Sequence, residues 1–166
     1  MKTLLLLRHA KSSRDDPSLA DFERPLNGKG EQDALRIGKF IKQEGISIDL
    51  AASSPATRAR QTIEAALQSS GLRLKPRFDE RIYEASGRRL LTVVADIEDA
   101  ANTVLLVGHN PGFEELLEIL TRDDRRMRTA SLARIDLQLS KWKQVQPATG
   151  KLMWITSAKE LKDDAT

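Results

Sequence analysis

Short apolar runs recur along the chain, each closed by polar residues, and the longer stretches between them carry apolar positions three and four apart. The first run, Leu4 to Leu7 after Thr3, ends abruptly in Arg8 and His9. An unbroken run of this kind predicts a strand buried on both faces. Arg8 and His9 then emerge at its carboxyl end, where open α/β sheets bind ligands. The Ser, Asp and Pro content of Lys11 to Pro17 predicts a loop, which runs on through Phe22, Arg24 and Pro25. A helix follows with Asn27 as its N-cap, Ala34, Leu35, Ile37, Phe40 and Ile41 at helical spacing, and a stop at Gly45.

The same alternation continues downstream. A strand over Asp49 to Ala52 leads to Ser54 and Pro55, a pair that predicts a helix start with Arg58 in the first turn and an end near Gly71. A third strand is expected over Arg73 to Phe78, then a polar connection from Asp79 to Gly87, then a helix with Leu90, Leu91, Val94 and Ile97 on one face. The fourth strand, Thr103 to Val107, precedes Gly108 and His109. Asn110 and Pro111 repeat the cap-and-proline signal before a helix over Phe113 to Leu120. Leu132 to Leu139 and Leu152 to Thr156, around Trp142, are strand candidates for the sheet edge, and the polar residues after Ala158 are expected to fray. Strands alternating with helices predict a three-layer α/β fold, a mostly parallel central sheet flanked by helices.

Composition narrows what such a fold can do. With 166 residues, 40% apolar and 31% charged, the chain fits a single domain over residues 1–166 with one core. A net charge of +3 and 4% aromatics do not call for nucleic-acid binding, which needs a basic surface or a stacking platform. No run is long enough to span a membrane, and Arg8 cuts the first one short of a signal-peptide core, so the cytoplasm is the expected location. The lack of cysteine removes thiol catalysis and cysteine zinc sites. No G-x-x-x-x-G-K-[ST] segment is present, which excludes a P-loop. The run from Arg122 to Arg128, four arginines and two aspartates, reads as a solvated loop, with partner docking as the other option.

The chain has two histidines, and both directly follow a predicted buried strand. Taken alone, Arg8 and His9 also fit a strand end with a surface histidine. Together with Arg58 at a helix start, His109 at an equivalent strand end and Arg24 on the connecting loop, they form a set suited to a phosphoryl group. Guanidinium forks match phosphate oxygens, and helix starts favour anions. A neutral imidazole among such cations can act as a nucleophile, because nearby positive charge disfavours imidazolium. The second histidine can donate to the phosphoryl oxygens. A metal centre is disfavoured, because the arginines and helix starts beside both histidines repel cations. Glu84 is one of three acids in its connection and carries no signal of its own, since most loop carboxylates are solvated.

These residues resemble the histidine phosphatase superfamily, also called phosphoglycerate mutase-like. Leu7-Arg8-His9-Ala10 is similar to its Arg-His-Gly motif, Ser54 to Thr62 to its second motif, and Val107-Gly108-His109-Asn110 to its third. Within it, the small size and the Arg24-Pro25-Leu26 segment resemble the SixA-type phosphohistidine phosphatases. The resemblance implies a phosphoglycerate mutase-like fold and a metal-independent, cofactor-free phosphatase working through a phosphohistidine on His9. Arg8, Arg58 and His109 would hold the phosphoryl group and Arg24 would assist, while Glu84 falls where larger relatives carry a proton-donating acid. The expected substrate is protein phosphohistidine, with small phosphoesters on the same site, or phosphate recognition without catalysis, as the alternatives. A monomer with no nucleic-acid or membrane partner is expected.

Overall fold

The computed structural model describes residues 1–164. The strands are β1 (Lys2–Arg8), β2 (Leu50–Ser53), β3 (Arg77–Phe78), β4 (Thr103–Gly108), β5 (Ser131–Leu137) and β6 (Gly150–Ser157). The helices are α1 (Gly28–Gln43), α2 (Thr57–Ser70), α3 (Gly87–Ala95), α4 (Gly112–Thr121) and α5 (Ala158–Asp164). The six strands form one sheet in the order β3-β2-β4-β1-β5-β6. The pairs β1/β4, β2/β4 and β2/β3 are parallel, and β5 alone runs against the others. No helix among the described residues is long and apolar enough to cross a membrane.

β1 lies inside the sheet because both of its faces are apolar. Leu4 and Leu6 pack with α3 and α4 residues such as Leu90, Val94, Leu116 and Leu117. Leu5 and Leu7 pack on the other face against Ile37, Ile41, Ile63 and Ala66 of α1 and α2. The alternation is the period-two pleat of a strand sandwiched between helices. The chain leaves β1 towards α1 on one face and leaves β4 towards α4 on the other, so the carboxyl ends of these adjacent parallel strands bound a crevice. That is the topological switch point of an open α/β sheet.

Several local expectations give way. β3 keeps only Arg77 and Phe78 of the expected 73–78, because Pro76 has no N–H to give a ladder. The residues after Ala158 do not fray as a whole, since α5 forms there and lays Leu161 against the core. Ser54 does not cap a helix begun by Pro55. Its hydroxyl accepts from the Ala56 N–H at 3.2 Å, a turn that comes before α2 rather than opening it. Asn110 does not cap α4 either: Pro111, joined to it by a cis bond, holds that position. Asn27 does cap α1, accepting from the Gly30 N–H at 2.8 Å.

Candidate active site

In the β1/β4 register Arg8 faces Gly108, so the next residues, His9 and His109, stand side by side. The His9 N–H extends the ladder to the Gly108 carbonyl at 3.0 Å, and the two ring centroids are 5.2 Å apart. Close packing demands glycine before His109, since a Cβ at Gly108 would come within 2.5 Å of the Phe113 ring. Both histidines are nearly buried, at 7% and 9% exposure.

Each histidine is oriented by a second element. His9 Nδ1 lies 2.7 Å from the Ala10 carbonyl, which can only accept, so Nδ1 carries the ring proton and Nε2 keeps a lone pair. Ala10 is itself fixed, because its N–H donates to Thr62 Oγ1 of α2 at 3.0 Å. His109 Nε2 is 2.8 Å from Ser54 Oγ, and Tyr83 packs edge-on against its ring. Burial pushes the His9 pKa down to about 4, and the Arg58, Arg8 and Arg24 cations act in the same direction against the Ala10 hydrogen bond. Burial also takes His109 to about 3, helped by His9 and Arg58. Both rings are therefore neutral at neutral pH.

The arginines converge from three elements. Arg8 shares the pleat parity of Leu4 and Leu6 and reaches the α4 side, where its Nη1 donates to the Met127 carbonyl at 3.0 Å. Arg58, buried in the first turn of α2, gives Nη1 to the Asp21 carbonyl at 2.7 Å and Nη2 to Asp21 Oδ2 at 3.0 Å. Arg24 gives Nε and Nη2 to Asp21 Oδ1 at 3.2 and 3.1 Å, and Nη1 to Ser12 Oγ at 2.8 Å. Tyr83 donates to Asp21 Oδ2 at 2.7 Å. Burial opposes ionisation of Asp21, but the bonds from Tyr83, Arg58 and Arg24 hold its carboxyl down to about 2.

Four buried polar atoms in this cluster have no hydrogen-bond partner among the described residues: Arg8 Nε, Arg58 Nε, His109 Nδ1 and Asn110 Oδ1. Two belong to guanidinium donors, and leaving a buried donor unpaired costs about 1–3 kcal/mol. Unpaired donors around a neutral imidazole fit a tetrahedral oxyanion. A cavity of ≈ 510 Å³ beside them is lined by Asp21, Arg58, Glu84, His109, Asn110 and Glu115 among others. Glu84 is exposed on that wall, with its backbone in the left-handed region at φ 51°. Arg24 does not line the cavity and meets the cluster through Asp21.

Asp21, Tyr83 and Met127 join the site without having been expected there, and Ser54 and Thr62, expected only within the second motif, orient the two histidines. Asp21 had a signal, an acid three residues before Arg24, and Met127 had one as the apolar residue inside a charged run. That run is more than a solvated loop: Met127 is buried, and its carbonyl also accepts from Asn110 Nδ2 at 2.8 Å. No three His, Cys, Asp or Glu side chains among the described residues group in a way that could hold a metal ion.

The sequence model of the histidine phosphatase superfamily (branch 1) matches residues 4–88, just over half of the chain. The chain belongs to this superfamily. The structure of a candidate phosphohistidine phosphatase SixA from Agrobacterium tumefaciens is 28% identical with a TM-score of 0.81. The match covers 94% of this chain and 97% of that one. A mycobacterial glucosyl-3-phosphoglycerate phosphatase, 16% identical with a TM-score of 0.69 over 96% and 99% of the two chains, shares the fold. An uncharacterized chloroplastic protein of Arabidopsis thaliana is 28% identical over 162 residues, 92% of this chain and 74% of its own. Superfamily membership and the likeness to the Agrobacterium protein support a phosphatase.

Proposed function

We propose that this protein is a metal-independent phosphatase that forms a phosphohistidine on His9 and removes phosphate from protein phosphohistidine. The observation that carries the reading is the set of unpartnered buried donors, Arg8 Nε, Arg58 Nε and His109 Nδ1, around a histidine with a free Nε2 lone pair. A binding module would need the donors but not that nucleophile. The likeness to the Agrobacterium SixA supports protein phosphohistidine as the substrate.

In the first step His9 Nε2 attacks phosphorus, the bond to the leaving group breaks, and its electron pair departs with that group. Arg8 and Arg58 hold the phosphoryl oxygens. Ser54 Oγ already accepts from Ala56, so its own hydrogen is free to donate to His109 Nε2, which leaves the ring proton on Nδ1 for the phosphoryl group. Asp21 fixes Arg58 and Arg24 in place. An ester oxygen leaves readily only with a proton, which Glu84 on the cavity wall can supply. A phosphohistidine ring that is already protonated leaves as neutral imidazole and needs no such acid. In the second step water attacks phosphorus, the electron pair returns to Nε2, and the water proton passes to the Glu84 carboxylate or to solvent.

Phosphate release from a histidine-phosphorylated protein, measured against a panel of small phosphoesters, tests the assignment. The expected result is a higher kcat/KM on the phosphohistidine protein. Preference for one ester would move the substrate to that ester, and no release from any would reduce the protein to a phosphate-binding module.

A further inference from the structure

The 122–128 segment carries more charge than its structural task needs. Backbone bonds hold its ends, the Arg122 N–H donating to the Glu118 carbonyl at 2.8 Å and the Ser131 N–H to the Arg128 carbonyl at 3.1 Å, and Met127 ties its middle to the site: the Met127 N–H donates to Glu114 Oε2 at 2.7 Å, and its carbonyl takes Arg8 Nη1 and Asn110 Nδ2. The four arginines around it are exposed. Arg126 lies 3.6 Å from Glu114 with 89% of its side chain exposed, a separation and exposure at which an ion pair is worth under about 1 kcal/mol. Its guanidinium is thus available to another anion.

Arg125, Arg126 and Arg128 line a cavity of ≈ 310 Å³ together with Arg8, with Glu114 and Glu160 as its acids. This cavity shares no lining residue with the one that holds Asp21, Glu84 and Glu115. The buried donor set reaches both, Arg8 into the first, Arg58 and His109 into the second. A phosphoryl group on those donors therefore has a basic groove beside it whose arginines the proposed chemistry does not use.

We propose that the groove of Arg125, Arg126 and Arg128 docks an acidic segment of the phosphorylated protein substrate. This rests on the reading of the chain as a protein phosphatase. Each exposed arginine gains little from a single carboxylate, so a lone small anion has no reason to settle there. A row of carboxylates on the chain that carries the phosphoryl group gains from all three at once, because the second contact is intramolecular once the first is made. An exposed basic rim suits charge steering, which sets encounter rates and partner choice more than affinity. No aromatic residue lines the groove, so it offers no stacking platform for the bases of a nucleic acid.

The test compares two histidine-phosphorylated peptides of equal length, one flanked by Asp and Glu, the other by Ser and Gln. Each is given to the parent enzyme and to the Arg125→Gln/Arg126→Gln/Arg128→Gln variant, with p-nitrophenyl phosphate as a small ester. The parent should favour the acidic peptide about tenfold in kcat/KM at low salt, a preference that fades by about 0.5 M salt. The variant should lose it while ester turnover stays within about twofold. A parent without the preference, or a variant that keeps it, overturns the proposal. If the variant also loses ester turnover, the loop has moved Arg8. Arg125→Gln alone, away from the Met127 anchor, must then lower the preference, and its failure to do so overturns the proposal.

Fluorescence anisotropy with the unphosphorylated acidic peptide separates the two readings. If no substrate is turned over, the phosphatase reading falls, yet weaker peptide binding by the triple variant still supports the groove and equal binding overturns it. Tighter binding of a single-stranded RNA of equal charge would overturn it in favour of a nucleic acid.

Discussion

At the amino end of β1 the buried Lys2 ammonium donates to the Asp99 carbonyl at 2.6 Å, the Ala101 carbonyl at 3.2 Å and Asn102 Oδ1 at 2.9 Å. It also lies 5.9 Å from the centre of the Trp142 ring. At the carboxyl end Arg8 gives Nη1 to one carbonyl, while its buried Nε, like Arg58 Nε and His109 Nδ1 nearby, has no partner among the described residues. An ammonium has three donors, and all of Lys2's are placed. Both ends bear the desolvation of a buried cation, but the first returns it with every donor placed and the second only in part. The contrast separates an end built for stability from one whose donors suit a ligand.

Substitution at each end should therefore damage different properties. The largest effect is expected for His9→Ala, with steady-state turnover lower by at least about 10³-fold and an unfolding midpoint close to the parent's. Normal turnover would end the proposed role of His9. Arg58→Lys keeps the charge but loses the fork, and turnover should fall by about 10²-fold. Equal performance by lysine would show that charge alone matters there.

At the other end, Lys2→Met keeps the apolar stem but leaves the Asp99 carbonyl and Asn102 without their donor. Urea unfolding should show a loss of about 2 kcal/mol, with kcat unchanged per folded molecule. A loss of turnover without a loss of stability would erase the distinction between the ends.

The smallest signal is a titration. The ring proton resonances of the chain's two histidines should shift with midpoints near pH 4 for His9 and 3 for His109, well below 6.5. In the unfolded chain both rings take protons near pH 6.5, so below that pH the unfolded state binds more protons than the folded one. Their contribution to stability is complete above about pH 6.5 and is lost as pH falls towards those midpoints. A midpoint near 6.5 would place a ring in solvent rather than in the buried cluster.

Much of this was readable in the chain. The four leucines after Thr3 announce a strand buried on both faces, and the polar residues that close the runs mark where ligands meet the sheet. What the pattern does not carry is register: only the pairing of Arg8 with Gly108 makes neighbours of two histidines a hundred residues apart in sequence. Asp21 has Arg24 three residues on, but the partners that place it in the site, Arg58 and Tyr83, lie 37 and 62 positions away. Ser54 and Asn110 satisfied a local helix-start rule, and tertiary partners, His109 and Met127, took their side chains instead. Met127 acts through its backbone carbonyl, which every residue has and no side-chain pattern reveals.

The most direct test of the central claim is to quench the enzyme during turnover without acid, which would cleave a phosphoramidate, and to locate the phosphate by peptide mass spectrometry. The account predicts phosphate on His9, formed and consumed at rates that support steady-state turnover. Full turnover with no phosphate on His9, or with phosphate on another residue, would contradict it.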